Sequence, residues 1–480
     1  MRPLLPNSYV AFKDGQLPRG PLPAGIFIFV GAGDGSADDN VVTPVASPND
    51  IQTLFGHGPL ARDLSTFFLE GAGFAYAIQV APSTPGSIGV VTVGQFTGLT
   101  AQGTPRGEFD VRGRITVGGA LGVAQVKFSL DGGRTWGSSH VLKVAPIEVI
   151  GPGGFKTGFT ITPTPKTYVV DSAADNKASA DEFSFKTVAP SATGSEILAA
   201  MLPAIQDPSL FFNGFHISHR PADAAASVSF NTGVAAALAT AEQDWFRYLY
   251  AVTQCPIGVD TPAEVLSYVQ TLRADFAHNR VQTVAMPMVV KTLGGQMVMP
   301  VSAVCVARRA LLEPQNDLGM VSAGQLLSVV DFAPGWGISN VIAVDQVKNT
   351  PTIRKHFGAA GFYPTNGWMT DPSSDYSADK FRLVADLCAS DVRSAGVRFV
   401  KMDVDPDNVE ASAKPLLDAC RAPLEVRVAR GQISAAELTI PSGQDILTSK
   451  ELVVDVSIRP MASADWIRFN VGFQSPFAGG

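Results

Sequence analysis

Cysteine is scarce in this chain. Cys255, Cys305, Cys388 and Cys420 are its four thiols, and they lie far apart. Such spacing fits reduced, buried thiols of a protein made in the cytoplasm better than a disulfide framework. No Lys/Arg cluster occurs, and 43 Asp and Glu outweigh 36 Lys and Arg, so a nucleic-acid-binding surface is not expected. No stretch approaches about 18 unbroken apolar residues, so no membrane span is expected. The start, Met1-Arg2-Pro3-Leu4-Leu5-Pro6, lacks the apolar core of a signal peptide. The expectation is a soluble product assembled inside the cell. Glycine and proline, 46 and 34, are dispersed and mark turns rather than a collagenous repeat. With 46% apolar and 16% charged residues over 480 positions, the chain reads as a globular protein of several domains.

Residues 1–23 are rich in Pro and Gly and read as an arm. Ile26–Val30 reads as a buried strand. Ser47–Asp50 can cap a helix from Ile51 that Gly56 would end. Leu60, Leu64, Phe67 and Phe68 then recur at helical spacing, and Phe74–Val80 returns as a strand. Between 88 and 192 short alternating runs replace helices: Val90–Val93, Arg112–Val117, Ala124–Ser129, Thr157–Thr162 and Tyr168–Val170. Helix and strand patterns resume with Ala235–Phe246, Tyr248–Val252, a capping box at Thr261-Pro262-Ala263-Glu264, Val284–Val290 and Val301–Leu312. Beyond 355, Ser377–Ser394 is amphipathic, Gly396 stands where a left-handed cap belongs, and Val397–Met402 reads as a strand. Asp407 with Glu410 suggests a second capping box, and Leu424–Val428 another strand.

The end of the chain alternates most clearly. Leu452, Val454, Val456 and Ile458, then Ile467, Phe469, Val471 and Phe473, predict two half-buried strands forming a hairpin. The fold class is therefore α/β and α+β multidomain: a discontinuous α/β core domain (24–87 and 193–355), an inserted β-rich domain (88–192), and a C-terminal α+β domain (356–480) ending in a β-hairpin.

Catalytic and metal motifs fail on inspection. No Gly-x-Ser-x-Gly occurs. His216 and His219 have no carboxylate or Cys at a metal-binding spacing. Gly31-Ala32-Gly33-Asp34-Gly35-Ser36 lacks the third glycine of a dinucleotide fingerprint and reads as a turn. In Asp403-Val404-Asp405-Pro406-Asp407, proline replaces the turn glycine of a calcium loop, so helix capping explains it better. Ser129-Leu130-Asp131-Gly132-Gly133-Arg134-Thr135-Trp136 fits the Asp box of sialidase-like hairpins, where Asp131 would bond turn amides and the glycines supply positive φ. It occurs once, and in that setting it stabilises a turn. No cofactor is expected.

The order of parts resembles a contractile-tail sheath protein of a bacteriophage or related injection machine. The stretches that carry the resemblance are Ser47–Gly56, Pro59–Ala61, Phe67-Phe68-Leu69-Glu70-Gly71-Ala72-Gly73 and Ala75–Val80, with Gln79 where sheaths commonly have Arg. Near the end they are Glu451–Pro460 and Trp466-Ile467-Arg468-Phe469. The resemblance implies stacked six-membered rings around an inner tube, no enzymatic activity, and termini that add strands to neighbouring copies. It implies inter-subunit roles for Ser8, Tyr9, Val10, Ala11 and Phe12 and for Val454, Val456, Ile458, Ile467, Phe469, Val471 and Phe473. On the polar face of the long C-terminal helix, Asp379, Lys380, Arg382, Asp386 and Arg393 become candidates to face the tube. Implied partners are copies of itself, the tail tube protein, and baseplate and tail terminator proteins; the implied place is the virion tail, assembled in the host cytoplasm. The readings from other classes are a carbohydrate-binding or glycan-hydrolysing virion protein, and an α/β enzyme.

Overall fold

The computed structural model describes residues 25–93, 99–151, 154–170, 182–293 and 295–472. At its centre is a six-stranded sheet. Strand Phe27–Ala32 runs parallel to both Ala75–Val80 and Gly214–Ser218. Tyr250–Gln254 and Val281–Val284 continue the parallel set, and Val42–Val45 closes the opposite edge antiparallel. All six residues of Phe27–Ala32 are buried, as expected of a parallel strand covered on both faces. Helices on those faces supply the cover. Pro59–Leu69 buries Leu60, Leu64 and Phe67, and Phe67 meets Phe29 edge to face.

Local chemistry sets the helix boundaries. Ser47 accepts a hydrogen bond from the Asn49 amide to start Pro48–Phe55, and Gly56, at φ 69°, ends it. Thr261 and Glu264 form the expected capping box on Pro262–Asp275, and Thr193 with Glu196 forms another on Gly194–Gln206. Helix Ala224–Trp245 is, by length and composition, apolar enough to cross a membrane. Its buried row, Phe230, Val234, Leu238 and Ala241, belongs to the central core, and Asn231 bonds Thr283 there.

Several elements differ from expectation. Val284–Val290 is split: Val281–Val284 ends the parallel sheet, and Pro287–Thr292 opens a three-stranded antiparallel one with Gly295–Pro300 and Val329–Phe332. Val397–Met402 is no strand but a 3-10 turn at Val397–Phe399 with irregular chain beyond it, and Gly396 stays right-handed at φ −70°. Leu424–Val428 continues helix Val409–Ala429, because Ala413, Leu417, Cys420 and Leu424 form one buried helical stripe. That helix is capped by Asn408, not Asp407. Tyr168–Val170 contributes one bridge, from Tyr168 to Gly119.

The chain leaves the central sheet after Val80 and returns before Gly194 through a neck where Thr84 and Ser191 exchange backbone bonds. Between them, two antiparallel sheets enclose a separate apolar cluster that includes Val111, Val126, Phe159, Phe183 and Phe185. Glu108 anchors this unit to the core, reaching Arg62 at 3.3 Å and Arg220 at 3.5 Å. Arg106 reaches Asp34 at 3.1 Å. The Asp box forms as the sequence predicts. The Thr135 amide and hydroxyl donate to the two Asp131 oxygens at 2.8 and 2.5 Å, and the Ser129 hydroxyl donates at 2.7 Å. Gly132 and Gly133 take φ of 72° and 92°.

Asp131 is buried, so Asp131→Ala strands the buried Ser129 hydroxyl and frees Thr135, and it should destabilise the protein by about 1–3 kcal/mol. Limited proteolysis should then cut first within 99–170, leaving the parallel-sheet core protected; equal cutting throughout would contradict a locally acting turn.

Candidate assembly interface

Helix Asp379–Gly396 is enclosed on two sides. Leu383 and Leu387 belong to the central core, whereas Val384 and Cys388 pack with Leu417, Cys420 and Leu424 in a separate C-terminal cluster. Its charged row faces inward too. Asp379, Lys380, Arg382 and Asp386 are all buried. Arg280 places one guanidinium nitrogen 3.0 Å from both Asp386 oxygens, and Arg382 reaches Asp386 at 2.6 Å. Arg280 also reaches Glu242 at 3.0 Å, Lys380 reaches Asp317 at 3.0 Å, and Arg309 lies 3.6 Å from Asp379. Arg393 lies over the Phe246 ring at 4.0 Å. The expectation that these residues face a tube is therefore corrected for the four buried ones, Asp379, Lys380, Arg382 and Asp386. Asp379, Lys380 and Asp386 are buried ties between this helix and the core, Arg382 is buried against Asp386 of its own helix, and Arg393 stacks on a core-domain ring. Sequence periodicity shows which residues are polar, not whether a buried partner waits for them.

Burial pushes the Asp379 carboxyl up to about 6, against the pull of Arg309. Asp386 is raised as well, for the same reason, in spite of its two guanidinium partners.

On this helix and Val409–Ala429 rests a sheet of two strands, Ile433–Thr439 and Asp455–Pro460, paired antiparallel with Ala436 opposite Ile458 and Leu438 opposite Val456. The partner of the 452–458 row is thus Ile433–Thr439, not the expected 467–473. The alternation itself holds: Leu452, Val454, Val456 and Ile458 are half-buried and the residues between them exposed. A lone strand pair is marginal in water, and this one keeps its place by packing Val454, Val456 and Ile458 against the helices. Neither strand has a second neighbour among the described residues, so two rows of backbone donors and acceptors stand open.

Lys380 bonds the Ser463 hydroxyl just past the second strand. After that the chain runs out exposed: Trp466 is 92% accessible, Phe469 83% and Val471 95%. Ile467, Phe469 and Val471 form no strand and touch no core cluster. Ser8, Tyr9, Val10, Ala11, Phe12 and Phe473 lie outside the described residues.

Chemistry-bearing side chains also gather elsewhere in the fold. In the middle of strand Gly214–Ser218, fully buried His216 faces Ser302 at 3.0 Å and Asp63 at 3.9 Å. Both approach the same ring nitrogen, Nε2, while the Ser218 hydroxyl lies 3.4 Å from Nδ1. At 3.9 Å Asp63 is beyond hydrogen-bond distance of the ring and does not orient it as a triad carboxylate does. Burial depresses the imidazole to about 4, leaving it neutral. His219 turns away to pack on Phe230, so the pair converges on no common ligand. The four cysteines are buried and unpaired. The Gly31–Ser36 segment is a packed turn: Asp34 accepts from the His57 amide, and a side chain at Gly35 would strike the Leu54 carbonyl.

Residues 9–330 match the family model described as DUF2586, N-terminal domain, and residues 375–478 the one described as DUF2586, C-terminal domain. No curated protein matches the chain by sequence. Among solved structures it is similar to the contracted sheath complex of PVC, an extracellular contractile injection system (TM-score 0.54, 10% identity, 98% of each chain covered). It is also similar to the contracted helical sheath of the anti-feeding prophage (TM-score 0.51, 14% identity, 98% of this chain and 99% of that one). A sheath tail protein from Listeria innocua aligns at TM-score 0.49 with 12% identity, over 92% of each chain. The first two likenesses establish the sheath-protein fold.

Asp386→Ala leaves Arg280 and Arg382 without their shared carboxylate and should cost about 3–5 kcal/mol in chemical denaturation. The folded state holds the Asp379 proton up to about pH 6, above the ordinary carboxylate range. The stability that proton confers is present at about pH 4 and is lost as pH rises through about 6. Asp379→Asn should flatten the dependence of melting temperature on pH across that window; an unchanged slope would contradict the assignment.

Proposed function

Because the chain belongs to the DUF2586 family and has the fold of contractile sheath proteins, we propose that it is a non-enzymatic subunit polymerising into the sheath around a phage-type tail tube. The observation that carries this reading is the unfinished C-terminal sheet beside an exposed, apolar tail. Strand addition joins chains through backbone bonds, which need no side-chain match and survive rotation of the joined bodies. The helix-borne charge network gives each copy a rigid platform on which an incoming strand can dock.

In this reading residues 1–23 are an arm that also reaches neighbouring copies, and 452–480 supply the other connection. The discontinuous core, 24–87 with 193–355, forms the body. The unit at 88–192 lies outermost and the C-terminal domain innermost, toward the tube. Head-to-tail contacts that do not close along the axis build a tube of stacked rings. Contraction is a repacking of subunits into a wider lattice of lower energy, driven by newly buried surface at about 25 cal/mol per Å² of apolar area. It drives the tube through the host envelope. Tube protein, baseplate and terminator are the partners, in a tail particle assembled in the host cytoplasm.

The glycan-active alternative rests on the Asp box alone, and both Asp131 oxygens are bonded within that turn.

Negative-stain microscopy of the purified full-length protein should show helical tubes or stacked rings. A chain ending after Ala464 keeps the Lys380–Ser463 bond and the two-stranded sheet, so it should melt like the full chain yet fail to polymerise. Deleting residues 1–20 should have the same effect. Normal tubes from either truncated chain would overturn the corresponding connection.

A further inference from the structure

Residues 353–364 form a small hairpin pinned by the pairs Ile353–Pro364 and Arg354–Tyr363. Its stem is stiff. Lys355 lies over the Phe362 ring at 4.4 Å and reaches Asp331 at 3.8 Å, His356 packs on Tyr363, and the Phe362 carbonyl accepts from the Leu326 amide. Gly358 and Gly361 take positive φ of 81° and 83°, which lets the loop turn sharply. At its tip Phe357 is 110% exposed, more open than any other large apolar side chain among the described residues. A rigid loop that holds an aromatic ring fully in water, flanked by Arg354, Lys355 and His356, has the form of an interface anchor.

An apolar surface with an acidic border occurs elsewhere on the same chain. The connection between helices Asp379–Gly396 and Val409–Ala429 exposes Val397 (53%) and Val400 (71%). Asp403, Asp405 and Asp407 follow on the same loop, all exposed. Counting Glu410, the connection carries four carboxylates against two cations, Arg398 and Lys401, so its balance is opposite to that of the hairpin. The loop too is ordered by its own bonds: the Met402 amide donates to the Phe399 carbonyl, and the Asp407 amide to the Asp405 side chain.

We infer that the Phe357 hairpin of one copy seats against the Val397–Val400 loop of a second copy, the ring on the valines and the cations toward the aspartates. The inference rests on the self-assembly proposed above but adds a contact made by side chains, separate from strand addition. Such a contact sets which neighbour is engaged, since buried aromatic anchors and opposed charge fix register where backbone pairing does not.

The test co-assembles two full-length variants, affinity-tagged Ala360→Cys and untagged Arg398→Cys, which leave Phe357 and both valines in place, and treats the polymer with a short bismaleimide. Both sites are exposed, and the native thiols are buried. A tagged–untagged covalent dimer, absent when the wild-type chain replaces either variant, is the expected result. In parallel, Phe357→Asp should raise the concentration needed for polymerisation by at least about 10-fold, because an interface anchor commonly carries that much affinity. Polymers that form normally but yield no mixed dimer, or Phe357→Asp polymerising at the wild-type concentration, would overturn this contact and leave the sheath reading standing. A wild-type chain that never self-associates would overturn both.

Discussion

The structure depends on charge buried along one face of helix Asp379–Gly396. Taking carboxylates and guanidinium groups out of water costs several kcal/mol per ion unless each finds a partner. Here Asp386 finds two, Arg280 from the core and Arg382 from its own helix. Lys380 and Asp379 meet Asp317 and Arg309 of the core. The arrangement admits one register of the helix on the core, because any slip would separate several pairs at once. The C-terminal sheet rides on that helix. A sheet held in this way can offer its edges in a defined direction, which a sheet on a loose linker could not.

Much of this was legible in the sequence and some was not, for physical reasons. The core strands at 27–32 and 75–80 are short apolar runs bounded by turns, and the caps at Ser47 and Thr261 are chemical signals read directly from residue type. The Asp box is local as well, since the side-chain bonds of Ser129, Asp131 and Thr135 lie within Ser129–Trp136. Pairing across distance is another matter. The alternation at 452–458 predicted a strand and its buried row, but not that Ile433–Thr439 would pair with it. Alternation at 467–471 is just as regular, and those residues lie exposed with no strand partner among the described residues. Leu424–Val428 alternates too, yet the stripe from Ala413 to Leu424 decides for helix. The polar row of Asp379–Gly396 misled for a related reason: an amphipathic pattern cannot distinguish water from a buried arginine as the partner of an aspartate.

The same contrast separates the inserted unit from the C-terminal one. The inserted sheets satisfy most of their own pairing and hold to the core through Glu108, Arg106 and a narrow neck. The C-terminal sheet satisfies little of its own. Two strands, two open edges and an apolar tail make a surface that no other described residue completes. The shortfall is concentrated at one end of the molecule, and its position follows from the charge-locked helix beneath it.

The most direct measurement is a cryo-EM reconstruction of the assembled protein at a resolution that traces strands. The account predicts that the sheet of Ile433–Thr439 and Asp455–Pro460 gains at least one strand contributed by another copy, while helix Asp379–Gly396 keeps its place on the core. A sheet that remains two-stranded in the polymer, with its edges facing water, would contradict it.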